Sequence, residues 1–256
     1  MMRYLNFVYR MLRRDARAGE LYLLVAALIV AVAALTAVGF FTDRVRQALE
    51  REANQLLGAD MLLTADHPWK PDLRIAAQAR GLSVVETQTF PSMVSIGEGD
   101  GLRAQLADIK AVEAGYPLRG ALRISDGVAA TDRRADGVPE PGTVWIDERL
   151  AATLTARVGE RIAVGQRVLR IDAILTFEPD RGLNFFSVAP RVMIRLDDLQ
   201  ASGLIGPGSR VVHRLLVAGE PAQVKRFRAE VEARQQTIDR YKLGRRSTPN
   251  AEQPLH

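Results

Sequence analysis

Apolar and polar positions along this chain fall into three regimes. The first is "LYLLVAALIVAVAALTAVGFF", from Leu21 to Phe41, twenty-one residues without a charge. At about 1.5 Å of rise per residue, a helix of that length covers roughly 31 Å, close to the ~30 Å of a bilayer's hydrocarbon core. The run is apolar all round, whereas a core helix of a soluble domain keeps a polar face. A cleaved signal peptide would need a shorter apolar region with a small-x-small site just after it. Here Ala31-Val32-Ala33 lies inside the run, and Phe40-Phe41-Thr42-Asp43 follows, a poor cleavage context. The pattern predicts an uncleaved transmembrane helix.

The second regime has helical spacing on both flanks. "TDRVRQALEREANQLLG" has no proline, keeps Val45, Leu49, Ala53 and Leu56 on one face, and pairs Arg46 with Glu50 at i, i+4. Gly58 suits a C-cap. One helix over residues 19–57, span plus stalk, is the expectation. Ahead of it, residues 1–18 place Leu5, Val8 and Leu12 against Arg10, Arg13, Arg14 and Arg17. That reads either as a short amphipathic helix on the cytoplasmic membrane face or as arginines that merely set topology.

The third regime, residues 58–237, mixes period two with period 3.6. "ADMLLTAD" alternates like a strand, and "KPDLRIAAQARG" carries proline near its start and glycine at its end, as a helix does. "SVVETQTFPSMVSIG" and "LRAQLADIKAV" read as two strands joined across "GEGDG". Strand, short helix, turn and strand follow in "GTVWIDERLAATLTARVGERIAVG", and one or two further strands in "QRVLRIDAILTFEP". "RVMIRLDDLQASGL" reads as strand then helix, "SRVVHRLLVAGE" as a strand, and "PAQVKRFRAEVEARQQ" as a helix with Val224, Phe227 and Val231 inward. "SDGVAATDRRADGVPEPG" is rich in turn residues and reads as an exposed loop. The fold class is α+β, a mixed α/β domain behind a membrane helix. Residues 238–256 read as a polar tail.

Charge refines this picture. The formal net charge is +5, but residues 1–20 supply +3 and residues 238–256 supply +2, so the body between is neutral. A nucleic-acid footprint would cluster on the body, so no nucleic-acid partner is expected. Lys and Arg number five before the span and three in the stretch after it, which predicts a cytoplasmic N-terminus and an external body, periplasmic in a Gram-negative cell. There is no cysteine, which excludes disulfides and thiolate chemistry.

Candidate chemistry is sparse. No G-x-S-x-G, H-E-x-x-H or G-x-x-x-x-G-K-[ST] occurs. His67 beside Asp66 offers too few ligands for a metal and reads as a surface turn. Gly97, Gly99 and Gly101 lead into a strand pattern rather than a helix, so they read as a hairpin turn and not a phosphate loop. "FEPDRGLNFF" brings Glu178, Asp180 and Arg181 beside Phe185 and Phe186. Paired carboxylates can do acid–base work, but without a second partner in reach the stretch reads as an ordered loop held by an Asp–Arg contact. Its two phenylalanines are either core or exposed apolar surface.

Several segments together resemble a known family. They are "RRDARAGELYLLVAALIVAVAALTAVGFFTDRV", "QLLGADMLL", "FPSMV", "DIKAVEAGYPLRG", "DERLAATLTARVGERIAVG", "EPDRGLNFFSVAPRVMI" and "GSRVVHRLLVAG". In order, they resemble the start of a bacterial ABC-transporter permease of the FtsX-like, MacB/LolC type, in its YbbP-like branch. One departure is Ala16, where the family pattern has an aromatic. The resemblance implies a first span followed by a periplasmic core of two mixed α/β subdomains. It implies ATP bound by a separate ABC ATPase subunit, no cofactor in this chain, membrane lipid around the span, and a lysophospholipase-type or other periplasmic partner. It implies a function in export of lipidic or protein-borne cargo, by movement relayed through the stalk. The family continues into further spans where this chain ends in "LGRRSTPNAEQPLH", so a truncated, split or frame-disrupted permease is expected. The alternatives are a single-pass anchored periplasmic adaptor or binding domain without transport activity, and an anchored lipid hydrolase.

Overall fold

A computed structural model describes residues 20–183, 189–206 and 209–246. The amphipathic stretch over 1–18, Phe185 and Phe186, and the tail from 247 onward lie outside the described residues. The chain divides into two compact units, one up to Glu52 and one from Ala53 onward.

The first unit is helix. Helix α1 runs uninterrupted over Glu20–Leu57, 38 residues, and is the one described helix long and apolar enough to cross a membrane. Every side chain from Tyr22 to Leu49 is exposed to the surroundings. The apolar part of α1, residues 22–41, has no cover among the described residues, as a membrane-crossing helix would. Its two threonine hydroxyls are satisfied within the helix: Thr36 Oγ1 donates to the Val32 carbonyl at 2.7 Å and Thr42 Oγ1 to the Val38 carbonyl at 2.9 Å. At Gly58 the backbone turns left-handed, φ 70°, a conformation that glycine adopts without steric cost.

The second unit contains ten strands and four helices among the described residues, besides the last turn of α1. They run β1 (Met61–Ala65), α2 (Pro71–Gln78), β2 (Ser83–Ile96), β3 (Arg103–Val112), β4 (Arg123–Ser125), β5 (Arg133–Arg134), β6 (Thr143–Asp147), α3 (Glu148–Leu154), β7 (Arg161–Val164), β8 (Arg167–Phe177), β9 (Arg191–Arg195), α4 (Leu196–Ala201), β10 (Val212–Ala218) and α5 (Pro221–Arg246). Gly99–Gly101 forms a single 3-10 turn between β2 and β3, so "GEGDG" is a hairpin connection. Helix α5 continues to Arg246, into the stretch that reads as tail.

The strand order is β1-β10-β2-β3-β9-β6-β8-β4-β5, with β7 pairing both β2 and β8. The pairings β2–β3, β3–β9, β9–β6, β6–β8, β8–β7 and β7–β2 therefore form a closed ring of six strands. Closure is possible because β2 is 14 residues long and meets β10 with one stretch and β7 with another. Alternation sorts the side chains into two cores. Ile109, Val144, Ile146, Val192 and Ile194 join Ile162, Ile171 and the α3 residues Leu150 and Leu154 in one cluster. Val112, Trp145 and Met193, from the same three strands, join Tyr116, Leu122 and Leu216 in a second cluster on the opposite face. All five residues of β6 are buried, as expected for a strand covered on both sides. A third, smaller cluster packs α2 and α5 on β1 and β10 through Ala77, Phe227, Met61 and Val217.

The implied two-part core is carried on one ten-stranded sheet. One expectation needs amendment. "SDGVAATDRRADGVPEPG" is not wholly exposed: Ala135 and Val138 are buried with Trp145, because the outer face of the ring needs an apolar cover.

Candidate functional site

The last turn of α1 belongs to the second unit, and one carboxylate ties it there. Gly58 ends the helix, and Asp60 follows it into β1. The Asp60 carboxylate accepts from Arg119 Nε at 3.0 Å and Nη2 at 2.6 Å, from the Gly219 backbone N–H at 3.0 Å, and from Asn54 Nδ2 of α1 itself at 3.2 Å. Arg228 of α5 donates to the Asp60 carbonyl at 3.2 Å. Four parts of the chain (the end of α1, the loop after β3, the corner after β10, and α5) thus converge on one residue. Beside them Gly120, at φ +74°, packs so closely that a Cβ there would lie 2.8 Å from the Gln55 carbonyl oxygen and 3.3 Å from Pro179 Cγ. Only glycine fits such an approach.

Pro179 opens a 3-10 turn, Pro179–Leu183, that carries the acids of "FEPDRG" inward. Lys110 of β3 meets them. Its Nζ donates to Glu178 Oε1 at 2.5 Å, Asp180 Oδ1 at 2.6 Å and the Tyr116 hydroxyl at 2.8 Å. The Tyr116 hydroxyl in turn donates to Asp180. Arg191 of β9 reaches Glu178 Oε2 at 3.0 Å and Asp108 Oδ2 at 2.6 Å, and Arg214 of β10 lies 3.6 Å from Asp180 Oδ2. Three cations face three carboxylates, so the cluster is neutral. The side chains of Lys110, Glu178 and Asp180 are at most 1% exposed.

Burial in that cluster sets the protonation states. Burial alone would raise the Asp180 carboxyl, but Lys110, the Tyr116 hydroxyl and Arg214 outweigh it and hold the group at about 2. Burial, with Asp180 and Glu178 alongside, pushes the Tyr116 phenol well above its usual value, so it stays a donor. Burial works against the Arg191 charge, yet Glu178 and Asp108 outweigh it and raise that guanidinium further. These carboxylates are bonded to partners inside the fold and shielded from solvent. The arrangement holds elements together; it offers no accessible base for a substrate.

A sequence profile of the MacB-like periplasmic core domain matches residues 22–234. The chain belongs to that family. With it the chain takes its place among the ABC transporter permeases of the FtsX/MacB-like type. It is 33% identical over 211 residues to the uncharacterized ABC transporter permease YbbP of Escherichia coli strain K12, an alignment covering 82% of this chain and 25% of the permease. The chain thus spans about a quarter of the length of that relative. Among solved structures, it resembles the periplasmic region of MacB from Actinobacillus actinomycetemcomitans, with a TM-score of 0.43 and 11% identity over 77% of this chain and 97% of the other. It also resembles the extracellular domain of the noncanonic ABC-type transporter YknZ from Gram-positive bacteria, with a TM-score of 0.41 and 13% identity over 62% of this chain and 76% of the other.

In this MacB-like core, the singled-out residues separate. Leu21 and Phe41 both lie within α1, and Phe41 is exposed. Glu178 and Asp180 come together on Lys110. Arg181 does form an Asp–Arg contact, but with Asp147 Oδ2 at 2.5 Å, the residue whose other oxygen caps α3 by accepting the Leu150 N–H at 2.8 Å. Asp66 and His67 pair with each other at 2.9 Å in an exposed turn.

Sequence reasoning missed Asp60, Lys110, Arg119, Arg191 and Arg214. The one available signal was a charge inside an apolar stretch: "LADIKAV" puts Asp108 and Lys110 on one face of β3. The segments that carry the family resemblance turn out to supply both groupings. "QLLGADMLL" holds Asp60, "DIKAVEAGYPLRG" holds Asp108, Lys110, Tyr116, Arg119 and Gly120, and the remaining acids and arginines of the buried cluster come from "EPDRGLNFFSVAPRVMI" and "GSRVVHRLLVAG".

Proposed function

We propose that this chain is the anchored external part of a permease subunit in an ABC-type export or lipid- or lipoprotein-related system. A separate ATPase subunit binds ATP on the cytoplasmic side, and its movement passes along α1 to a periplasmic body. The arginine excess ahead of the span supports this orientation. Membrane lipid surrounds the span, and a lysophospholipase-type or other periplasmic protein meets the body.

One observation carries the reading: α1 does not end in a linker. It runs without a break to Leu57, and its last turn is bonded through Asn54 to Asp60 and packed through Gln55 against Gly120. A helix ended by a loose linker would dissipate displacement, whereas one ended in packed and hydrogen-bonded contacts transfers it.

The test has two arms. Protease added outside spheroplasts should cleave beyond Thr42; protection until lysis inverts the topology and ends the reading. For the relay, the absence of native cysteine lets spin labels be placed cleanly at Leu49 and Val128, both exposed. With the remaining permease spans and the ATPase subunit supplied, the distance between labels should change when ATP binds. A Gly-Ser insertion after Leu57 should abolish that change. An ATP response that survives the insertion, or none in the unmodified chain, overturns the relay.

A further inference from the structure

Arg181 stands apart from the buried charge cluster, and its contact has no part in the relay described above. It lies in the turn Pro179–Leu183, where successive residues go to different elements. Glu178, just before the turn, binds Lys110 of β3 and Arg191 of β9. Pro179 meets Gly120. Asp180 binds Lys110 and Tyr116 and faces Arg214 of β10. Arg181 donates to Asp147 Oδ2 at 2.5 Å.

The turn is held stiffly. The side chains of Glu178 and Asp180 are 0% exposed, and the Pro179 ring fixes its own φ. Packed interiors pass a displacement on instead of absorbing it. One side of the turn receives α1. A Cβ on Gly120 would lie 2.8 Å from the Gln55 carbonyl oxygen and 3.3 Å from Pro179 Cγ, so Gly120 sits between helix and turn. The Arg119 backbone N–H also donates to the Gly58 carbonyl at 2.9 Å, which fastens the loop carrying Gly120 to the helix end.

The other side of the turn leads to α3. Asp147 is the N-cap of that helix, and its Oδ1 accepts the Leu150 N–H at 2.8 Å. Its side chain is 4% exposed, so Oδ2 depends on protein donors. Arg181 is the close one; Arg149 Nε lies farther off, at 3.8 Å. Leu150 and Leu154 of α3 are buried with Ile146, Ile162 and Ile171 in the first core cluster.

We infer that Arg181 is a positioning residue: it ties the cap of α3 to the turn that receives the end of α1, so that displacement of the helix end shifts α3. The inference rests on the relay reading for its purpose, and it gives that relay a destination inside the body. The linkage itself consists of three contacts: Gln55 with Gly120, Gly120 with Pro179, and Arg181 with Asp147.

Hydrogen–deuterium exchange on the full chain in detergent tests the linkage, with no ATP and no other subunit. Gly120→Ala forces a methyl between Gln55 and Pro179. Exchange in peptides from α3 should then rise about threefold or more beyond any rise in α2, which packs on β1 and β10 instead. In an Arg181→Gln background the same glycine substitution should give no such excess, because the cap is already released from the turn. Global destabilisation would raise both helices alike. Should Gly120→Ala fail to fold, Pro179→Ala loosens the same contact and should give the excess, again only with Arg181 in place. Equal changes in α2 and α3, or an excess that survives Arg181→Gln, overturns the role. The spin-label distances probe the relay separately. Their failure ends the relay and leaves the linkage standing, whereas a missing α3 excess strikes Arg181 alone.

Discussion

Lys110 and Asp180, 70 residues apart in the chain, meet at 2.6 Å with neither side chain more than 1% exposed. Two opposite charges taken out of water need each other: desolvation costs several kcal/mol per ion and is offset only by close, well-bonded partners. That relationship, extended through Glu178, Tyr116 and Arg191, fixes the turn after β8 onto strands β3 and β9.

Lys110→Met removes the central cation and leaves two buried carboxylates facing each other. The expected loss is about 3–5 kcal/mol of unfolding free energy. Urea unfolding of the full chain in detergent, followed by tryptophan fluorescence, measures it. A loss below about 1 kcal/mol would mean that the acids relax to water or pick up protons at little cost.

Acid should act through Asp180. Its folded value, about 2, lies below its ordinary 3.8. The stabilisation from its ionisation is therefore complete above pH 3.8 and is lost as pH falls from there toward 2. Its size is on the order of 2 kcal/mol. Asp180→Asn should lower stability at neutral pH and flatten the pH dependence in that window, as read from urea midpoints between about pH 5 and pH 2.

Asp60 and Arg119 should be coupled. Asp60→Ala strands the Arg119 fork, the Gly219 N–H and Asn54 at once, and hydrogen bonds to a charged group are worth about 1.5–3 kcal/mol each at most. A double-mutant cycle with Arg119→Ala should return a coupling of about 1–3 kcal/mol. Additive effects would show that the bidentate contact, with the Arg119 side chain 40% exposed, is screened away.

Gly120 and Gly99 make a controlled pair. Both have positive φ, +74° and +56°. A Cβ at Gly99 meets nothing within 4 Å, whereas at Gly120 it drives into the Gln55 carbonyl. Gly99→Ala should cost about 1 kcal/mol, from the backbone conformation alone, and Gly120→Ala at least about 2 kcal/mol more. Thermal melts of the two variants side by side give the comparison.

Much of the architecture was legible because it is local. Helix α1 announced itself by an apolar run with no charge, its end by Gly58, and the β2–β3 hairpin by glycines between two alternating stretches. The ring was not legible, since closure depends on two residue pairs between β2 and β7, Val94 with Val164 and Ser95 with Ala163, about 70 positions apart. The acids of "FEPDRG" stood out by composition, but their partner could not be read. Lys110 sits between the apolar Ile109 and Ala111, and only the third dimension sets it opposite Glu178. Arg181 shows the same limit: beside Asp180 in the chain, it bonds Asp147 instead.

The position of β10 between β1 and β2 has a consequence for how the protein is made. Met61 pairs with Val217, and Val85 with Leu216. During synthesis, the facing edges of the two earliest strands stay unpaired until β10 emerges, roughly 150 residues after β1. Such late, long-range pairing is slow and leaves sticky edges open in the meantime. Biogenesis, rather than the finished structure, is therefore where this domain is most vulnerable to misassembly.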